Sequence, residues 1–136
     1  MKGQFYIEAG QAEQAAKMYR EALERAPSEP LIKADLARAL LQYETDAANR
    51  EALALLQSAE QADRNNSRIL QYLALAYARI GDRGRASLAT AERYALSGRI
   101  QDAGLHANRA LGQLPEGTPA WRKADEIARA ASRRER

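Results

Sequence analysis

The feature that most constrains the fold of this chain is a spacing of small and aromatic residues that recurs along it. The first copy of the spacing is Gly3, Tyr6, Gly10, Ala15, Tyr19, Ala22 and Pro27. Residues equivalent to Tyr6 follow at Leu40, Tyr77 and Tyr94, at intervals of 34, 37 and 17 residues. Repetition at a period of about 20–50 residues is typical of proteins in which each unit buries its apolar face against the next. The sequence therefore predicts a stack of short, similar units.

Apolar residues within each copy recur three and four positions apart, as in Leu36 and Leu40 or Leu70 and Leu73. This period places them on one face of a helix. Much of the apolar fraction is alanine, the best helix former, whose small side chain lets helices approach closely. We predict an all-α fold of eight antiparallel helices. They cover 1–8, 11–26, 30–43, 48–63, 68–80, 84–96, 99–113 and 119–133.

Turn residues separate these helices. They are Pro27-Ser28-Glu29-Pro30, Asn65-Asn66-Ser67, Gly81-Asp82, Ser97-Gly98 and Thr118-Pro119. Ser28 and Thr118 are good N-caps, and proline fits the first position of a helix. Gly81 and Gly98 are expected to end helices in the left-handed conformation.

The recurring spacing resembles the tetratricopeptide repeat. The resemblance implies a solenoid of helix pairs in one domain over 1–136, with repeats at about 1–28, 29–66, 67–97 and 84–116. The last two share a helix, and a capping helix follows over 119–133. The first helix of a complete repeat would begin several residues before Met1, so we expect this chain to be a fragment of a longer protein. Solenoids of this kind bind partners and seldom catalyse reactions.

Residues for catalysis or metal binding are sparse. The sequence has no cysteine, which excludes disulfides, thiolate zinc sites and cysteine nucleophiles within it. Its one histidine, His106, has no adjacent glutamate and no second histidine, so it forms neither an H-E-x-x-H motif nor a serine triad. Gly81 to Gly84 lacks the G-K-[ST] ending of a phosphate-binding loop. We therefore predict a non-enzymatic chain without cofactors, with His106 partly exposed on a helix.

Partner-binding candidates come from the resemblance, because the first helix of each tetratricopeptide pair lines a concave groove. The exposed positions of those helices are Gln4, Glu8, Arg38, Gln42, Arg68, Gln71, Leu75 and Arg79. Three arginines in a groove favour an acidic or C-terminal peptide, held by paired hydrogen bonds. Ordinary solvated positions are an equally weighted interpretation. We interpret Tyr72, Tyr77 and Tyr94 as core residues.

Charge is distributed unevenly. Residues 1–66 hold 8 Lys and Arg against 11 Asp and Glu, a net −3, whereas residues 67–136 hold 13 against 7, a net +6. A basic half can bind nucleic acid or an anionic membrane. However, the arginines are spread over several predicted helices, which favours a solvated surface. We expect no nucleic-acid partner, and no membrane insertion because no apolar run approaches about 18 residues.

The second half resembles one family more closely. The residues that carry the resemblance are Tyr77-Ala78-Arg79-Ile80-Gly81-Asp82, Ala91-Glu92, Gly98, Leu114-Pro115, Gly117-Thr118-Pro119, Trp121, Ala124-Asp125 and Ile127, with Lys2-Gly3-Gln4 at the start. This pattern resembles the C-terminal end of bacterial HtpX/BepA-like zinc metalloproteases.

The resemblance implies a periplasmic protein with an N-terminal signal and a zinc protease domain. This chain would be its C-terminal repeat domain, which contacts that protease domain and binds protein partners in envelope quality control. No catalytic or zinc-binding residue carries over. Two alternatives stay open: a free-standing cytoplasmic scaffold, and a basic RNA or membrane-surface adaptor that uses the arginines after residue 67.

Overall fold

A computed structural model describes residues 2–134, with side chains described over 10–134, and this range is all-α. Its seven helices are α1 Lys2–Arg25, α2 Pro30–Leu41, α3 Asp46–Ala62, α4 Ser67–Arg79, α5 Arg83–Leu96, α6 Ile100–Gln113 and α7 Pro119–Arg134. The predicted all-α class is confirmed. The chain divides into two compact units, Met1–Arg64 and Asn65–Arg136, which we describe separately. The single domain over 1–136 and its repeat boundaries stay predictions.

Helix α1 corrects one part of the sequence interpretation. It runs without a break from Lys2 to Arg25, so the two helices predicted over 1–8 and 11–26 are one helix. A glycine within a helix costs only about 1 kcal/mol relative to alanine, and good helix formers surround Gly10. A Cβ on Gly10 would meet no atom within 4 Å, so no close packing requires a glycine there. The side chains of Gln4, Tyr6 and Glu8 lie outside the described residues.

The first unit is built around α2, which packs against both α1 and α3. Because it has a neighbour on two sides, α2 buries residues around most of its circumference. Its buried residues are Ala34, Leu36, Ala37, Ala39, Leu40 and Leu41. Helix α3 contributes the fully buried Leu56, and α1 contributes Ala12 and Ala16. The Lys33 ammonium donates to the Ser58 hydroxyl at 2.8 Å and links α2 to α3.

The second unit contains α4 to α7, each packed against the next, with a further contact between α5 and α7. Leu88, Ala110, Leu114 and Ala124 form a buried cluster, against which Leu111, Ala120, Trp121 and Ile127 pack. Small residues let the helices come close: Gly84 lies against the Leu114 side chain and Gly104 against Ala131. Helix α7 contributes the buried residues Ala124 and Ala131 to this unit.

Local turn chemistry explains where the helices begin and end. The Asn66 side chain caps α4 by accepting from the amides of Arg68 and Ile69, and the Thr118 hydroxyl accepts from the Trp121 amide at 3.3 Å. Gly81 and Gly98 have φ of 84° and 78°, which confirms the predicted left-handed turns.

One predicted cap is wrong. The N-cap of α2 is Glu29 and not Ser28, because Pro30 occupies the first helical position and the N-cap is the residue directly before it.

Candidate functional site

The first unit has a polar groove between α1 and α2, with a volume of about 150 Å³. Gln11 and Tyr19 of α1 line it, together with Asp35 and Arg38 of α2 and Gln42, the residue that caps the end of α2. The structure thus brings two predicted contact residues, Arg38 and Gln42, into one groove.

The floor of this groove consists of small residues, Ala12, Ala15 and Ala39. These alanines leave a gap between two packed helices because they carry no atoms beyond Cβ. Arg38 and Gln42 stay exposed, since the opposite faces of α2 hold the buried leucines. The groove therefore has a short apolar floor and polar walls.

Hydrogen-bond donors dominate these walls. Arg38 offers a planar fork of N–H groups, and the side-chain amides of Gln11 and Gln42 each offer two donors and an acceptor. Among residues 10–134, no ion pair or hydrogen bond of the Arg38 guanidinium occurs. Asp35 supplies a negative charge to the same groove. The chemistry suits a ligand that presents both a carboxylate and peptide groups.

The other predicted contact residues lie in the second unit, on α4. Arg68, Gln71, Leu75 and Arg79 are exposed, and their spacing places them along one stripe of the helix. Buried Ile69, Leu70, Leu73, Ala76 and Tyr77 occupy the rest of α4. Arg68 and Arg79 also make other interactions within the chain, so neither arginine is reserved for a ligand. That this stripe contacts a partner stays a prediction.

An aromatic and basic cluster, which the sequence interpretation missed, lies between α5 and α6. The rings of Tyr94 and His106 stack with centroids 5.3 Å apart and planes 23° apart. The guanidinium carbons of Arg93 and Arg99 lie 5.0 and 4.7 Å from the centroid of the Tyr94 ring. Tyr94 is half-buried and contacts His106, Arg93 and Arg99, so its interpretation as a core residue is incomplete. Tyr77 is buried, as a core residue should be.

His106 is half-buried, as expected for a side chain partly exposed on a helix. Burial, followed by the positive charge of Arg109, lowers the pKa of His106 below its ordinary value of 6.5. Asp102 opposes this shift, and Arg93 adds to it. The imidazole is therefore neutral at pH 7 and sits in a positive field.

The second unit also holds a shallow cavity of about 280 Å³ between α5 and α7. Leu96 and Ile127 give it an apolar wall. On the polar side, Nζ of Lys123 lies 3.8 Å from Oε2 of Glu92. Charges of both signs line the cavity, so it selects no single class of ligand.

The described residues contain neither a metal-binding cluster nor a membrane-spanning helix. Over residues 10–134, no group of three or more histidine, aspartate or glutamate side chains is arranged to hold a metal ion. In the same part of the chain, no helix combines the length and the apolar character that crossing a membrane requires.

Comparison with known proteins gives no assignment. No protein-family model matches the chain. No curated protein matches it either.

Proposed function

We propose that this chain is a non-catalytic protein–protein interaction module of the tetratricopeptide type. It binds the carboxylate end of a protein or peptide through Arg38 and Gln42. The observation that carries the proposal is the α1–α2 groove, which Arg38, Gln11 and Gln42 line together.

The size of the groove favours a peptide end over a small-molecule cofactor. Its volume of about 150 Å³ is below the roughly 300–1,000 Å³ of pockets that enclose small molecules. A space of this size takes the last residue of a peptide, while the preceding residues run across the surface.

The donors in the groove match such a ligand. A carboxylate accepts two parallel hydrogen bonds from an arginine, which are stronger than bonds between neutral groups. The amides of Gln11 and Gln42 can pair with peptide N–H and C=O groups. The exposed stripe Arg68, Gln71, Leu75 and Arg79 on α4 is a second proposed partner-binding surface, in the second unit.

The wider proposal is that this module is the C-terminal domain of an exported zinc metalloprotease in envelope protein quality control. It rests on the segment Leu114 to Trp121, which links α6 to α7 and sets the start of α7 through the Thr118 cap. In this proposal zinc belongs to the adjoining protease domain, and the chain acts in the periplasm.

The coding sequence upstream of Met1 tests this wider proposal against a free-standing cytoplasmic scaffold. A signal peptide and an H-E-x-x-H motif in the same reading frame would support the protease. A natural start codon at Met1, with neither feature upstream, would contradict it and favour the scaffold.

Binding to short acidic peptides tests the groove itself. Each peptide is prepared with a free C-terminal carboxylate and with an amidated end, and its affinity is measured by fluorescence polarisation. We expect the free carboxylate to bind at least about tenfold more tightly. Arg38→Ala should remove that preference.

Arg50→Ala is the matched control, because Arg50 is an exposed arginine of the same unit that does not line the groove. It should leave the preference unchanged. Equal affinity for both peptide ends, or an equal loss in both variants, would contradict the proposed groove.

A further inference from the structure

Peptide binding in the α1–α2 groove assigns no role to the basic cluster around Tyr94. We define the Tyr94 cluster as Arg93, Tyr94, Arg99, His106 and Arg109. Its members come from the end of α5, the following turn and two turns of α6. Residues dispersed in the sequence thus converge at one place on the second unit, although the sequence interpretation expected the arginines to be spread out.

The geometry of the cluster concentrates positive charge. The guanidinium carbons of Arg93 and Arg99 lie 5.0 and 4.7 Å from the centroid of the same ring, so both positive charges lie beside Tyr94. The π face of Tyr94 attracts each of them, by roughly 0.5–1 kcal/mol at an exposed position. Mutual repulsion of the two like charges opposes this gain, and a bound anion would relieve the repulsion.

Internal carboxylates neutralise only part of this charge. Asp102 accepts from Nε and lies 2.7 Å from Nη2 of Arg99. No ion pair of Arg93 or Arg109 occurs among the described side chains, positions 10–134. With His106 neutral, three arginines against one aspartate leave the cluster with a formal charge of +2.

The charges around His106 are consistent with this positive field. Burial is the main cause that lowers the pKa of His106, Arg109 and Arg93 lower it further, and Asp102 opposes them. A group that senses two guanidiniums in this way lies where an anion would also be attracted.

We propose that the Tyr94 cluster binds the phosphate group of a phosphorylated ligand. A carboxylate is satisfied by one arginine fork, as Asp102 satisfies Arg99. A phosphate carries up to two negative charges and three acceptor oxygens, and so matches several forks at once. Arginine rather than lysine supplies every permanent charge of the cluster, which suits this paired geometry.

The phosphate can come from a free metabolite or from the headgroup of an anionic lipid. Two arms of one experiment separate these sources. The first titrates the chain with inorganic phosphate and with glycerol 3-phosphate at constant ionic strength, against chloride, and follows the amide and ring signals of Tyr94 and His106 by NMR. The second measures co-sedimentation with phosphatidylcholine vesicles that contain or lack phosphatidic acid.

The double variant Arg93→Gln/Arg109→Gln should weaken binding by at least about tenfold in whichever arm is positive. The control Arg122→Gln/Arg133→Gln removes the same charge from exposed positions of α7 and should bind as the parent does. If the glutamine pair fails to fold, Arg93→Lys/Arg109→Lys keeps the charge but loses the paired hydrogen bonds, and should still weaken binding.

Three results would overturn the proposal. One is the absence of any NMR response of Tyr94 and His106 in the first arm together with no sedimentation that depends on phosphatidic acid in the second. Another is equal weakening in the α7 control, which would show a general charge effect. The third is tight binding of single-stranded RNA by a chain that ignores both phosphate probes, which would assign the surface to nucleic acid.

Discussion

Gly104 of α6 lies directly against Ala131 of α7: a Cβ built on Gly104 would be 2.5 Å from the Cβ of Ala131. Two backbones can come this close only when one residue has no side chain. This contact therefore sets the distance between α6 and α7.

Replacement of Gly104 by alanine should therefore destabilise the chain. The added methyl group meets a short alanine side chain that cannot turn away, so the helices must separate, at a cost of about 1–3 kcal/mol. Urea unfolding measures the loss. Gly112→Ala is the matched control in the same helix, because a Cβ there meets nothing within 4 Å, and it should stabilise by about 0.4–1 kcal/mol. Equal effects of the two variants would contradict the close contact.

The left-handed turn at Gly81 gives a second prediction. Its φ of 84° strains any residue with a Cβ, and a β-branched residue most of all. Gly81→Val should lower the free energy of unfolding by about 1–3 kcal/mol, measured by thermal unfolding. Gly81→Asn should cost much less, because asparagine tolerates this region. A valine variant as stable as the asparagine variant would disprove the strain.

The ion pair between α1 and α3 should contribute little to the free energy of unfolding. Arg20 donates to both carboxylate oxygens of Glu51 at 2.7 and 3.0 Å, and this hydrogen bonding is the chief cause that raises the pKa of Arg20. Both side chains are about half exposed, at 50% and 43%. We expect a coupling of about 0.5–1 kcal/mol in a double-mutant cycle, reduced in high salt because solvent screens exposed charges. A coupling that salt leaves unchanged would contradict this view.

The pH dependence of stability should contain a contribution from His106. Its pKa is lowered in the folded chain, so the unfolded chain takes up a proton at a higher pH than the folded chain does. Acidification below about 6.5 therefore favours unfolding, until the folded imidazole is also protonated. We expect the free energy of unfolding to fall between about pH 7 and pH 5. His106→Gln should show a smaller fall over that range; an identical pH profile would contradict the assignment.

Sequence reasoning located α2 to α7 well because local signals set their ends. Asn66, Gly81, Gly98 and Thr118 act on their own backbone and need no distant partner. The break expected near Gly10 is wrong. Gly81 and Gly98 end their helices in the left-handed conformation, whereas Gly10 keeps helical geometry inside α1, where good helix formers flank it and a glycine costs only about 1 kcal/mol.

The candidate sites also differ in how far local sequence signals predict them. Helical spacing was sufficient to place Arg38 and Gln42 one turn apart, and Arg68 to Arg79 on one stripe. The Tyr94 cluster depends instead on the turn at Gly98, which brings α6 back along α5 and sets His106 against Tyr94. No periodicity along one helix reveals a contact of that kind.

Alanine accounts for 16 of the 26 buried apolar residues at positions 10–134. A buried alanine loses no rotamer entropy, so helices that pack through alanine need little apolar area to offset the cost of ordering. Heat capacity of unfolding rises with the apolar area that becomes exposed. The heat-capacity change of this chain should therefore fall below the usual value of about 12–15 cal/mol/K per residue, which gives a stability curve that is flat with temperature.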